Sequence, residues 1–205
     1  MKKLNAAFYQ QDDVVALARY LIGTELVTEI DGLKTSGIIT ETEAYRGYDD
    51  KACHAHLGRF TERTKVMYET GGVAYVYLCY GIHHLFNIIT NKKHNADAIL
   101  IRAIQPTSGL DHMLKRRNKS KVEASLTSGP GNVSKALGIS KSHYGEDLQG
   151  SQIYILDKSK RLPVIQSVRI GIDYAGEDAQ LPWRFYAADN PYVSKKLKAD
   201  TPCQE

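Results

Sequence analysis

The sequence predicts a single α+β domain: a curved, mostly antiparallel β-sheet with peripheral helices and a protruding β-hairpin. Strand-like runs at 25–30, 37–45 and 98–104 are rich in apolar and β-branched residues. The stretch VAYVYLCYGIHHLFNII, residues 73–89, reads as two strands around a Tyr80-Gly81 turn. No internal repeat, low-complexity linker or composition break divides the chain, so residues 1–205 form one domain with its core at about 8–195.

The elements follow in order. Asp12 or Asp13 can cap a helix that carries Val14, Leu17, Ala18 and Leu21 at helical spacing and stops at Gly23. Strands at 25–30 and 37–45 come next. Residues 46–72 are polar and irregular, too charged for a buried element. After the hairpin, the apolar run 98–104, bounded by Asn95 and Pro106, reads as a central strand. Residues 110–121 begin as a helix and turn basic through Lys115, Arg116, Arg117, Lys119 and Lys121. Ser128-Gly129-Pro130 starts another helix, which Val133, Ala136 and Leu137 continue to a Gly138 stop. Strands are expected at 152–156 and 167–173, and the charged tail from Pro191 is expected to fray.

A chain of 205 residues can bury roughly 70% of its unfolded surface, so no disulfide or metal staple is required. Cys53, Cys79 and Cys203 are scattered and form no disulfide framework. A net charge of +4 permits a polyanionic partner without demanding one. The N-terminal MKKLNAAFYQQDD has no apolar stretch behind its lysines, and no apolar run approaches membrane-spanning length. A reducing cytoplasm is the expected location. Cys53-His54-Ala55-His56 resembles a metal-ligand cluster, but no second Cys/His pair lies at zinc spacing. His54 is therefore read as a polar pocket-lining residue, and no metal is expected. His94, His112 and His143 are isolated and expected to be exposed.

The strongest chemical signal is ETEAY. On a strand, Glu41, Glu43 and Tyr45 share one face. Ile38 and Ile39 before them and Ala44 after Glu43 draw at least one carboxylate inward, an environment suited to a general base. Arg102, inside an apolar strand, must be paired, and Glu43 is its natural partner. An exposed Tyr80 at a hairpin tip has little structural purpose, but it could act as a wedge between nucleic-acid bases. Tyr77 offers a stacking surface one strand face away. The amides of Ser128-Gly129-Pro130-Gly131 and the basic run are candidate phosphate contacts.

Six ordered blocks together resemble the alkyladenine (3-methyladenine) DNA glycosylase family, of the mixed α/β kind rather than the helix-hairpin-helix kind. They are ETEAY with His54 nine residues beyond it, YVYLCYG at 75–81, Asn87, LIRAIQP at 100–106, SGPG at 128–131 and RIGIDYAGEDAQLPWRFY at 169–186. The resemblance implies a cofactor-free, monomeric enzyme acting on double-stranded DNA that contains damaged purines. It also implies roles for residues. Glu43 is the base that activates water, and Arg102 and the backbone carbonyl of Ile170 help to hold that water. Tyr45, His54 and Tyr77 line the base pocket, and Asn87 clashes with the 2-amino group of normal guanine. Tyr80 fills the gap left by the everted nucleotide. Lys115, Arg116, Arg117, Gly129 and Gly131 contact the DNA backbone. The pocket motifs hold no lysine, which argues against a Schiff base and strand-cleaving lyase activity and predicts single-step hydrolysis to an abasic site.

The chain has Asn132 where lysine commonly follows SGPG, and His83 and His84 make the far side of the wedge unusually polar. No residue identifies itself as a proton donor for neutral leaving bases. Two other readings remain open at this point: a non-catalytic nucleic-acid binding module, and a carbohydrate hydrolase that uses Glu41 and Glu43 as its acid and base.

Overall fold

The computed structural model describes residues 2–157, 162–197 and 200–203. Two helices, α1 (Ala6–Tyr9) and α2 (Val14–Tyr20), precede strands β1 (Glu25–Ile30) and β2 (Leu33–Tyr45). The hairpin β3 (Ala74–Cys79) and β4 (His83–Thr90) leads to β5 (Asp97–Ser108). Helices α3 (Leu110–Arg117) and α4 (Pro130–Leu137) follow, then β6 (Ile153–Leu156), β7 (Val164–Ser167), β8 (Arg184–Ala187) and the two-residue β9 (Thr201–Pro202). The strands join in the order β3-β4-β5-β2-β8-β7-β9, with β1 between β2 and β6, and the pairs are antiparallel. The expected α+β class is the one the chain adopts.

Local chemistry explains the main elements. The Asp13 side chain accepts the Ala16 amide and starts α2, a cap worth about 1 kcal/mol, and Val14, Leu17 and Ala18 bury the helix on the sheet. β2 pairs with β5 along one edge, while β1 and β8 share its other edge. Pro106 does not end β5 as expected. It sits opposite Gly37 at a register irregularity, where a Cβ on Gly37 would lie 2.8 Å from the Gln105 carbonyl oxygen. A strand missing one N–H can continue at such a break.

Beyond Gly37 the β2–β5 register slips twice more: Ile39 faces Ile104, Glu41 faces Ala103 and Thr42 faces Ile101. Thr40 and Arg102 are thus the extra residues, one on each strand. A bulge reverses the in-out parity of the residues beyond it. Ile39 and Ala44 therefore both reach the main core, as do Ile101 and Ile104. Between them, Glu41, Glu43 and Arg102 gather on the opposite face.

Four expectations change. Residues 46–72 are irregular, but Cys53, Ala55, Val66 and Met67 are buried in a second apolar cluster with Tyr75 and Ile89, and Ala52 in a third with Ile172 and Ala175. Residues 168–172 are not a strand. Arg169 pairs with Asp50, and Gly171 takes φ +75°, which together override β propensity. The tail is anchored where described, since Ser194 bonds Glu41 and Tyr186 bonds Asp200; residues 198–199 and 204–205 lie outside the described set. His143 is buried, its ring Nδ1 accepting the Ser140 amide.

Candidate active site

Glu43 is fully buried in β2, and three donors hold its carboxylate. The Tyr45 hydroxyl donates to Oε2 at 2.7 Å, Arg102 Nη1 donates to the same oxygen at 3.2 Å, and the Ile170 amide donates to Oε1 at 2.7 Å. A carboxylate offers about four acceptor positions, so among the described residues Oε1 keeps one lone pair unused. Burial, then the Glu43 charge, push the Tyr45 phenol well above its ordinary range, so it stays a donor. Burial alone would lower the Arg102 pKa, but Glu43 and Glu41 outweigh it and hold the guanidinium charged.

The group of Ile170 that reaches Glu43 is its N–H, a contact separate from the water-holding role that the resemblance implied for the Ile170 carbonyl. Arg169 delivers that N–H by bonding both Asp50 oxygens, at 2.5 and 2.9 Å, and the Ala44 carbonyl, at 2.9 Å. The Arg169 guanidinium also lies 4.8 Å from the Tyr45 ring centre. This bracing by Arg169 and Asp50 was not foreseen. A buried, paired arginine leaves no mark in a local pattern when its partner is 119 residues away.

Glu41 has a different fate. It accepts Arg102 Nε at 3.0 Å, Arg184 Nε at 3.1 Å, and both the amide and the hydroxyl of Ser194, at 2.6 and 2.8 Å. Three of these donors meet Oε1 and one meets Oε2, and of the donor residues Arg102 alone lines the cavity described next. Glu41 is a structural anchor, and Arg102 spans the two carboxylates, which removes the acid–base pair that a carbohydrate hydrolase would need.

A cavity of about 570 Å³, within the usual range for ligand sites, opens above this floor. Tyr45, Arg102 and Ile170, the three partners of Glu43, line it, as do His54, Tyr77 and Asn87. Glu43 itself lies one side chain behind the surface. His54 meets the Tyr77 ring edge-on, with centres 4.8 Å apart. The Asn87 amide is tied to the Tyr75 and Leu85 carbonyls through Nδ2. No lysine lines the cavity among the described residues, and those residues contain no cluster suited to a metal ion.

Two wall residues, Arg63 and Tyr75, were not among the expected site residues. Arg63 Nη2 lies 3.1 Å from His54 Nε2, Arg63 Nε donates to the Tyr75 hydroxyl at 3.2 Å, and His54 Nδ1 lies 2.9 Å from the same hydroxyl. Arginine cannot accept, so Nε2 is the acceptor and Nδ1 carries the proton. Burial, then the charges of Arg63 and Arg59, lower the His54 pKa from 6.5 to about 4, so the ring is neutral at physiological pH. A depressed histidine stabilises the fold fully above its unfolded pKa and loses that contribution as pH falls from 6.5 through about 4. The expected loss is on the order of 3 kcal/mol. Denaturant titrations at pH 7.5 and 4 should show it in the wild type and much less in His54→Gln; an identical loss in both would refute it.

Tyr80 occupies the hairpin tip, 90% exposed, with φ +50° beside Gly81 at φ +73°. A left-handed backbone at a bulky residue costs roughly 1–3 kcal/mol, and such strain collects at functional sites. Leu78 and Ile82 are exposed on the same tip. Gly129 and Gly131 border the cavity at the start of α4, and Gly131 has room only for hydrogen because the His83 ring sits where its Cβ would be. Asn132 is turned back onto the Ser128 carbonyl. Of the basic run, Lys115 is exposed. Arg116 instead bonds Thr35 and the Ala136 carbonyl, and Arg117 bonds the carbonyls of Leu126 and Ser125. These two expected phosphate contacts brace α3 against its neighbours.

The profile of the methylpurine-DNA glycosylase family matches residues 7–191. Similar proteins include one from Chlamydia felis, 50% identical over 95% of this chain and its own full length, and one from Desulfitobacterium hafniense, 45% identical over 96% and its full length. A Bacillus cereus protein is 44% identical over 93% of this chain and 98% of its own. All three are provisionally named 3-methyladenine DNA glycosylase. With its resemblance blocks gathered around one cavity and near-complete coverage by these relatives, the chain belongs to the methylpurine-DNA glycosylase family.

Proposed function

We propose that the protein, as a monomer, removes alkylated or deaminated purines from double-stranded DNA by hydrolysing the N-glycosidic bond in one step. The observation that carries this is a fully buried carboxylate with one free lone pair, held directly behind an aromatic-walled cavity. The damaged nucleotide leaves the stack, which costs a few kcal/mol, and its base stacks on Tyr45 and Tyr77 for about 1–3 kcal/mol. Phenols that stay neutral, beside a neutral His54, accept a cationic alkylated base by cation–π attraction. Asn87 excludes the 2-amino group of normal guanine.

Glu43 takes a proton from water as the water oxygen bonds C1′ and the C1′–N9 pair leaves with the purine. A cationic alkylated purine leaves neutral and the proton passes to solvent, whereas an uncharged purine leaves as an anion and takes up that proton through solvent; an abasic site remains in either case. The carboxylate charge also favours the oxocarbenium-like transition state. The ionised Arg102 pairs with Glu43 and holds it in place. Lys115 and the amides at Gly129 and Gly131 contact phosphates.

Incubation with alkylated duplexes should yield free purine and no covalent adduct on borohydride treatment. A trapped adduct, or no purine, would overturn the reading. Tyr80→Ala should weaken lesion-duplex binding by roughly ten-fold while changing stability by no more than about 0.5 kcal/mol. Unchanged binding would remove Tyr80 from the wedge role.

A further inference from the structure

We propose that Arg63 is the hydrogen-bond donor to the departing base and that it favours purines that are uncharged in DNA and therefore leave as anions. The proposal rests on the glycosylase reading and assigns it a leaving-group residue. Arg63 lines the cavity yet remains exposed on its solvent side, and its guanidinium carbon lies 4.7 Å from the Tyr77 ring centre. Nε and Nη2 are engaged with Tyr75 and His54, whereas Nη1 has no partner among the described residues. Those two bonds fix the guanidinium without using up its donors.

The other groups lining the cavity are poorly suited to the task. Arg102 is committed to Glu41 and Glu43. Burial keeps His54 unprotonated and pushes the Tyr75 phenol up to about 12, so neither supplies a positive charge. Arg63 is a permanent cation beside the ring on which the base stacks.

The chemistry separates two classes of substrate. When an uncharged purine such as hypoxanthine leaves, the C1′–N9 electron pair makes the ring anionic. Fixed N–H donors stabilise that developing charge, and one such donor is worth about 10²–10³ in rate. Arg63 transfers no proton; the purine anion takes up the proton that Glu43 removed from water, by way of solvent. A purine alkylated at N7 is already cationic and leaves neutral. A guanidinium gives it no such help and opposes its binding.

Single-turnover release of hypoxanthine and of 7-methylguanine from matched duplexes tests this in wild type, Arg63→Gln and Arg63→Lys. Arg63→Gln should lower hypoxanthine release by about 100-fold and change 7-methylguanine release by less than about three-fold. Arg63→Lys, which keeps the charge but loses the fork, should show a smaller loss with the same selectivity, and it decides the matter if the glutamine variant does not fold. Equal losses on both substrates, or none on either, would reduce Arg63 to a brace for His54 and Tyr75. A wild type that releases 7-methylguanine but never hypoxanthine would overturn the Arg63 role and leave the glycosylase reading intact. Release of neither would overturn the glycosylase reading itself.

Discussion

Glu43→Gln is expected to lower purine release by about 10²–10⁴-fold while lesion-duplex binding stays within a few-fold of wild type. Glutamine is isosteric, and its side-chain oxygen can still accept from Tyr45 and Arg102. What disappears is the basic oxygen with its unused lone pair and the negative charge beneath the sugar. Single-turnover rates measured beside a binding isotherm separate the readings. A catalytic base loses rate and keeps affinity, whereas in a non-catalytic binding module neither would change. A variant that releases purine at the wild-type rate would remove Glu43 from the chemistry.

The largest stability effect is expected two residues away. Glu41→Ala should cost about 3–5 kcal/mol, because it leaves two buried guanidiniums and the Ser194 amide without their shared acceptor. In a chain of this size, that lowers the unfolding midpoint by roughly 10 °C. Arg184 is itself fully buried and has Ser167 and the Lys195 carbonyl as remaining partners, so its charge cannot escape to water. Denaturant unfolding at pH 7 measures the effect; a loss below about 1 kcal/mol would mean that water replaces the carboxylate. The contrast between Glu41 and Glu43 is instructive. Both are fully buried and both touch Arg102, yet Glu41 is tied to Arg184 and Ser194 away from the cavity, while all three partners of Glu43 line it.

The residues that face a common cavity were largely legible. Period-two alternation in ETEAY put Glu43 and Tyr45 on one face, and Arg102 in an apolar strand demanded an acidic partner, which it has. The Tyr80-Gly81 turn was equally readable, since left-handed geometry at a tip follows from a glycine between strand-like runs. The basic run misled at Arg116 and Arg117. Charge on a short helix reads the same whether it faces phosphates or, as here, carbonyls of a packed neighbour. β8 escaped notice because four residues headed by an arginine show no strand pattern, and only the Glu41 partnership explains its burial.

By itself, the sequence determined the antiparallel α+β architecture, the hairpin and the acidic face of β2, because these follow from side-chain period and turn chemistry among near neighbours. The tertiary structure alone decided which carboxylate backs the cavity, which group of Ile170 meets it, and that Arg63 joins the wall. Those outcomes depend on two one-residue bulges and on bonds that span up to 153 positions. No local pattern encodes them, since a bulge reverses which way a side chain points without changing the residue that carries it.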